Sequence, residues 1–180
     1  MSAKWIVPCL ALLGVVAAAG ALTQGQGRPN EDPTYRIEER SPKRPDKVVL
    51  TDAEWRKKLT PAQYKILRSH GTEPAFCGIF HDHKEKGTYH CAGCDLPLFR
   101  HDAKFNSGTG WPSFFQPVAR ENVWLRTDRS YGMIRIEVLC ARCDGHLGHV
   151  FDDAPKTPTG LRYCINSDGL VFRKTVKGAG

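Results

Sequence analysis

Two C-x-x-C units, Cys91-Ala92-Gly93-Cys94 and Cys140-Ala141-Arg142-Cys143, lie 45 residues apart and restrict this chain more than any other feature. Each spacing lets two thiolates turn toward one ion at about 2.3 Å, and two such turns complete a closed tetrahedron. Four thiolates suit zinc in a structural role, one ion per chain, because soft ligands fill every position and leave none for chemistry. Metal binding of order 10 kcal/mol is then folding free energy, so the site would staple the sheet that carries the two turns. On spacing alone, two disulfides, one redox C-x-x-C beside a chance neighbour, or an iron cluster stay open. The pairs say how a fold is held, not what it does.

The rest of the chain sets the frame for those turns. At 180 residues, 41% apolar and 25% charged, there is room for one ordinary domain of roughly 130 residues plus extensions, which excludes a multidomain protein and a wholly disordered one. Residues 1–22 run from Lys4 through an apolar stretch to Ala17-Ala18-Ala19-Gly20-Ala21, the layout of a secretory signal with an A-x-A-like cleavage site. The same stretch is just long enough to serve as a single-span membrane anchor, and no other membrane contact is expected. Residues 23–47 are rich in Pro, Gly and charge and suit a flexible linker; the domain is expected over 48–176. If the segment exports the chain, the cysteines meet an oxidising compartment, with a bacterial periplasm, or an anchor facing it, as the expected address.

Within the domain, Thr51 with Glu54 and Thr60-Pro61 with Gln63 mark the starts of two short helices, and Gly71 should stop the second. Strand-like runs follow at Thr88 to Cys91, Val123 to Thr127, Gly132 to Cys140, His149 to Asp152, Leu161 to Asn166 and Leu170 to Arg173. The fold class is therefore mainly β with short N-terminal helices. A net charge of +7 allows weak attraction to anions, but the basic residues are scattered and form no dense block, so no nucleic-acid partner is expected.

Two cysteines of the domain remain outside the pairs, Cys77 and Cys164. Period two along Leu161 to Asn166 sets Arg162, Cys164 and Asn166 on one face and Tyr163 and Ile165 on the other, toward the core. A guanidinium beside a thiol should raise its thiolate fraction, as a nucleophile requires. The run Asp144-Gly145-His146-Leu147-Gly148-His149 offers two imidazoles near neutral pKa on a glycine-relaxed backbone, able to give a proton to an oxygen leaving group. Ser107-Gly108-Thr109-Gly110-Trp111-Pro112-Ser113-Phe114 presents Trp111 either as a core plug or as the apolar wall of a pocket.

Taken together, these residues resemble the B-type methionine sulfoxide reductases. The match runs from about Thr51 to Arg173 and includes TPAQY, GTE before Phe76, both C-x-x-C units, SGTGWPSF, GHLGHVFDD and RYCINS, in the family's order. The resemblance implies a zinc-stapled β-tent of two antiparallel sheets and thiol-dependent reduction of the R epimer of methionine sulfoxide in oxidised proteins or peptides. Its nucleophile falls on Cys164, its proton-donating pair on His146 and His149, its substrate pocket on Trp111 and Phe151, its flanking polar pair on Arg162 and Asn166, and its zinc ligands on Cys91, Cys94, Cys140 and Cys143. The turnover it implies leaves a sulfenic acid on Cys164, then a disulfide that a thioredoxin-like reductant reopens. Many members carry the resolving cysteine in the SGxGWPSF loop, where this chain has Thr109; the subset without it uses the N-terminal segment, which points to Cys77. A monomer is expected. The rival from another class is a zinc-ribbon binding module without catalysis, which would make no use of Cys164, His146 or His149.

Overall fold

The computed structural model describes residues 36–38 and 40–175. The apolar segment 1–22, the first half of the expected linker and residue 176 of the expected domain lie outside the described residues. Among the described residues two helices come first, α1 (Asp52–Lys58) and α2 (Pro61–Leu67). Both open with a reciprocal cap: Thr51 and Thr60 hydroxyls accept from the backbone N–H of Glu54 and Gln63, whose side chains accept from the threonine N–H groups. The second helix ends at Leu67, before Gly71. Among the described residues no helix is long and apolar enough to cross a membrane.

Nine strands follow among the described residues: β1 (Gly87–Cys91), β2 (Pro97–Arg100), β3 (Lys104–Phe105), β4 (Ser113–Phe114), β5 (Val123–Asp128), β6 (Arg135–Cys140), β7 (His146–Phe151), β8 (Arg162–Ile165) and β9 (Leu170–Lys174). They form two sheets, one in the order β2-β1-β9 and one in the order β3-β4-β8-β7-β6-β5, with every strand pair antiparallel. The mainly β class with two antiparallel sheets and short N-terminal helices is what the sequence led us to expect. The core lies between the sheets. Tyr89 and Phe99 of the smaller sheet meet Phe114 of the larger at ring-centroid distances of 5.1 and 4.5 Å, all three buried.

Two strands start three residues from where the sequence placed them, and the other expected boundaries shift by one residue at most. The sixth strand starts at Arg135 instead of Gly132, because Ser130–Gly132 form a 3-10 turn in which Tyr131 and Gly132 take φ of 55° and 69°. The seventh starts at His146, three residues early, across a bulge in its pairing with β6 between Val138 and Leu139. Part of the expected linker also lies along the domain. Ile37 bridges Leu125 on the outer strand β5, and the Arg44 guanidinium donates to the Glu121 carbonyl at 2.6 Å.

Candidate active site

Cross-strand register builds the site. Arg126, Glu137, His149, Cys164 and Ser113 are successive partners across β5, β6, β7, β8 and β4. Directly opposed residues of antiparallel strands share a face, so these five side chains form one row across the larger sheet. On the other face, Tyr163 and Ile165 are buried in the core, as the period-two reading of this strand requires. Gly148 makes the row compact. A Cβ there would stand 2.0 Å from the Cys164 carbonyl oxygen, so only glycine lets β7 lie this close to β8.

Cys164 is half-buried and lines a pocket of about 140 Å³ with Trp111, Phe151, His149 and Thr72. The Thr109 hydroxyl is 4.0 Å from its sulfur. Burial pushes the thiol's pKa up, and the attraction of Arg162 and the Thr109 contact recover only part of that rise. Arg162 favours the thiolate, as the sequence led us to expect, but burial outweighs it. The Arg162 guanidinium is already committed, in a two-pronged pair with Asp153 at 2.8 and 2.6 Å and 4.4 Å from the Phe151 ring centroid. The net balance favours the protonated thiol.

The bulge in β7 puts both histidines on the same side, with ring centroids 5.5 Å apart. Each is oriented by a carboxylate that sequence reasoning missed. His146 Nδ1 is 2.6 Å from Glu137 and His149 Nε2 is 2.9 Å from Asp128. Glu137 is 4% exposed and also holds His70 Nδ1 at 2.8 Å and Arg126 at 2.7 Å. Burial by itself would raise the Glu137 pKa; the hydrogen bonds from His146, His70 and Arg126 reverse this and hold it well below the ordinary range. Asp128 is likewise depressed, burial being outweighed by the Ser130 backbone and hydroxyl, His149 and Arg135. With Asp128 ionised, His149 points its Nε2–H at that carboxylate and keeps a lone pair on Nδ1. Burial also lowers the His149 pKa despite Asp128, so this ring is neutral at pH 7. His146 Nε2 is buried with no hydrogen-bond partner among the described residues.

Asn166 lines the same pocket as Cys164, in keeping with the face assigned to it, and is buried there. It is 3% exposed, donates to the Leu147 carbonyl at 3.0 Å and accepts the Glu73 N–H at 3.0 Å. Glu73 in turn takes the N–H groups of Ser167 and Asp168 on its carboxylate and the Trp111 indole N–H on its carbonyl, at 2.8, 3.0 and 3.0 Å. One buried glutamate thus fixes both Trp111 and Asn166. Cys77 is exposed and unpaired. Its neighbour Phe76 donates its N–H to Gly110 at 2.8 Å, which ties the Cys77 segment to the loop that carries Thr109. The signal for the missed carboxylates was faint but present: Glu137 interrupts an apolar run and Arg126 interrupts the run that pairs with it.

The four remaining cysteines converge at the ends of β1 and β6, joining the two sheets. Their sulfurs lie within 4.8 Å of one another, with Cys91 to Cys143 at 3.6 Å and Cys94 to Cys140 at 3.5 Å. A tetrahedron with 2.3 Å bonds has edges of about 3.8 Å, so the donors fit a single metal ion with little movement. The helices cover this corner: Leu67 and Trp55 come within 3.4 and 3.5 Å of where a Cβ of Gly93 would be.

Comparison with known proteins gives one family. The SelR domain matches residues 59–174. A peptide methionine sulfoxide reductase MsrB of Thiobacillus denitrificans is 58% identical over 122 residues, 68% of this chain and 92% of the relative. Counterparts of the same name from Agrobacterium fabrum and Leptospira interrogans are each 56% identical, covering 70% and 71% of this chain and 93% and 96% of their own lengths.

Proposed function

Because the chain belongs to the SelR family of MsrB-type peptide methionine sulfoxide reductases, we propose that it reduces the R epimer of peptide-bound methionine sulfoxide with Cys164 as nucleophile. The observation that carries the residue assignment is the pocket itself: a thiol facing an aromatic wall, opposite an imidazole in strand register. The substrate's methyl thioether end packs on Trp111 and Phe151, and its oxygen lies toward the histidines. The His149 lone pair takes the thiol proton and returns it to the sulfoxide oxygen as the Cys164 sulfur attacks the substrate sulfur; the hydroxyl then passes to the Cys164 sulfur while the bond between the two sulfurs breaks and methionine leaves. The sum balances without an outside proton: thiol plus sulfoxide gives sulfenic acid on Cys164 plus methionine. Arg162 acts through Asp153 and Phe151, and Asn166 by fixing the backbone beside the nucleophile.

The Cys77 thiol then attacks the sulfenic sulfur, water leaves, and a Cys164–Cys77 disulfide forms. Phe76 must release Gly110 for that bridge to close. A thioredoxin-like dithiol reopens it by exchange. The four-cysteine cluster holds a structural Zn²⁺, which supplies a cross-link between the sheets and takes no part in the redox steps. The enzyme works as a monomer, and residues 1–22 export it to an oxidising compartment, a bacterial periplasm or the membrane face toward it.

The test supplies the full-length protein with dithiothreitol and follows the two epimers of an N-acetylated methionine sulfoxide amide separately, beside Cys164→Ser. Loss of the R epimer alone, abolished in the variant, supports the proposal. Folded protein that turns over neither epimer would overturn it and leave a metal-held binding module.

A further inference from the structure

Beside the Cys164 pocket lies a larger cleft of about 690 Å³ that shares Thr72, Arg135 and His149 with it, so the two are continuous. The small pocket holds one side chain; the cleft has the volume of a ligand site in its own right. Its charges are layered. The two carboxylates are at the floor, with side chains 5% exposed for Glu137 and 16% for Asp128, each neutralised by an arginine. The groups that face solvent are cations. Arg126 is 41% exposed, and Lys65, on the outer face of α2, has no ion-pair partner among the described residues. The opposite rim is the turn between β5 and β6, where Tyr131 is 86% exposed on a left-handed backbone.

Resting on the proposed reaction, we propose that this cleft binds the peptide segment flanking the oxidised methionine and selects for acidic side chains there. A residue next to the methionine in an extended peptide lies about 3.4 Å along the chain, and the second neighbour about 7 Å, within reach of a cleft that begins at His149. A carboxylate entering it meets Lys65 and Arg126 at the rim, while the carboxylates of Glu137 and Asp128 lie beneath and are already paired. Tyr131 supplies a flat surface for the peptide backbone or an apolar neighbour. Charge of this kind acts on encounter and orientation and is weakened by salt.

The experiment compares R-sulfoxide peptides of one length, with Asp or Lys at the two positions on either side of the oxidised methionine, and with the N-acetylated amide as a flank-free reference. At low ionic strength the acidic peptides should show kcat/KM about three- to tenfold above the basic ones. The ratio should shrink toward one in 0.5 M salt. Lys65→Glu should invert the preference and Lys65→Gln should erase it, with the change in KM more than in kcat; circular dichroism verifies that both variants are folded. Equal kcat/KM for acidic and basic peptides, or a preference that Lys65→Glu leaves intact, would overturn the proposal. Failure to reduce the flank-free amide as well would instead overturn the reaction on which it rests.

Discussion

At Cys164, burial and charge oppose each other, and burial wins. A raised thiol pKa means that reaction with a small alkylating agent should climb with pH beyond the range of an ordinary cysteine, near 8.5. Asp153 contributes to that rise by its own charge and by occupying Arg162. Asp153→Asn should therefore move the alkylation profile of Cys164 to lower pH, measured with iodoacetamide in a Cys77→Ser background; an unmoved profile would mean that Asp153 has no part in setting this thiol. Glu137 gives the complementary test. Its folded pKa is depressed, so its contribution is fully present above its unfolded value of about 4.3 and is lost as pH falls below that. Glu137→Gln should cost about 1 to 3 kcal/mol at neutral pH and flatten the acid limb of stability between pH 4.5 and 3 in urea titrations. Cys164 and the two histidines were legible in the sequence because each belongs to a dense local motif. Glu137 and Asp128 were not: single carboxylates inside strands look like solvent-facing positions until pairing sets Glu137 opposite His149 and Arg126.

The elements that carry the site are short, and their lengths explain which of them could be read in advance. The strands β1, β5, β8 and β9 have four to six residues with clear turn residues at their ends, and sequence pattern located them. The strands β3 and β4 have two residues each, too few for a periodicity to show, and β2 buries the adjacent Leu98 and Phe99, which breaks the alternation. They exist because neighbouring strands complete their pairing. The early start of β7 was hidden by Gly145 and Gly148, which look like loop residues; Gly148 is instead the point of closest approach between strands. This can be tested at the scale of the strand pair. Gly148→Ala places a methyl 2.0 Å from the Cys164 carbonyl oxygen, so the pair must separate. Overpacking of this kind costs about 1 to 3 kcal/mol or more and displaces the sulfur from His149. Thermal unfolding and steady-state reduction should fall together; a variant with wild-type melting and activity would mean that the sheet yields at no cost here.

Across the whole molecule, two sheets with few residues in each meet at one corner through four cysteines, and the chain before the SelR-matched region closes over that corner. The Asp144 carboxylate, next to Cys143, accepts from the Ser41 hydroxyl at 2.6 Å, from Lys47 at 2.8 Å and from the Trp124 indole at 3.1 Å. Lys47 also donates to the Ala141 carbonyl at 2.9 Å, and Val48 donates its N–H to the Arg142 carbonyl at 2.8 Å. Arg142 joins the two turns, reaching Asp46 at 2.8 Å and the Cys94 carbonyl at 3.2 Å. Composition pointed to a linker over these residues because Pro and charge dominate it; the charges are spent on contacts with the second C-x-x-C turn, which no local pattern encodes. Opening that turn is the step by which a metal ion would leave, and the strap must detach for the turn to open. Deleting residues 1–47 should therefore speed metal loss to a strong chelator several-fold and lower the melting temperature. Lys47→Ala in the full chain should act in the same direction and more weakly. The epimer assay on freshly loaded protein should change little, since the strap touches none of the residues around Cys164. Metal release at the full-length rate after deletion would show that the strap lies on the turn without holding it shut.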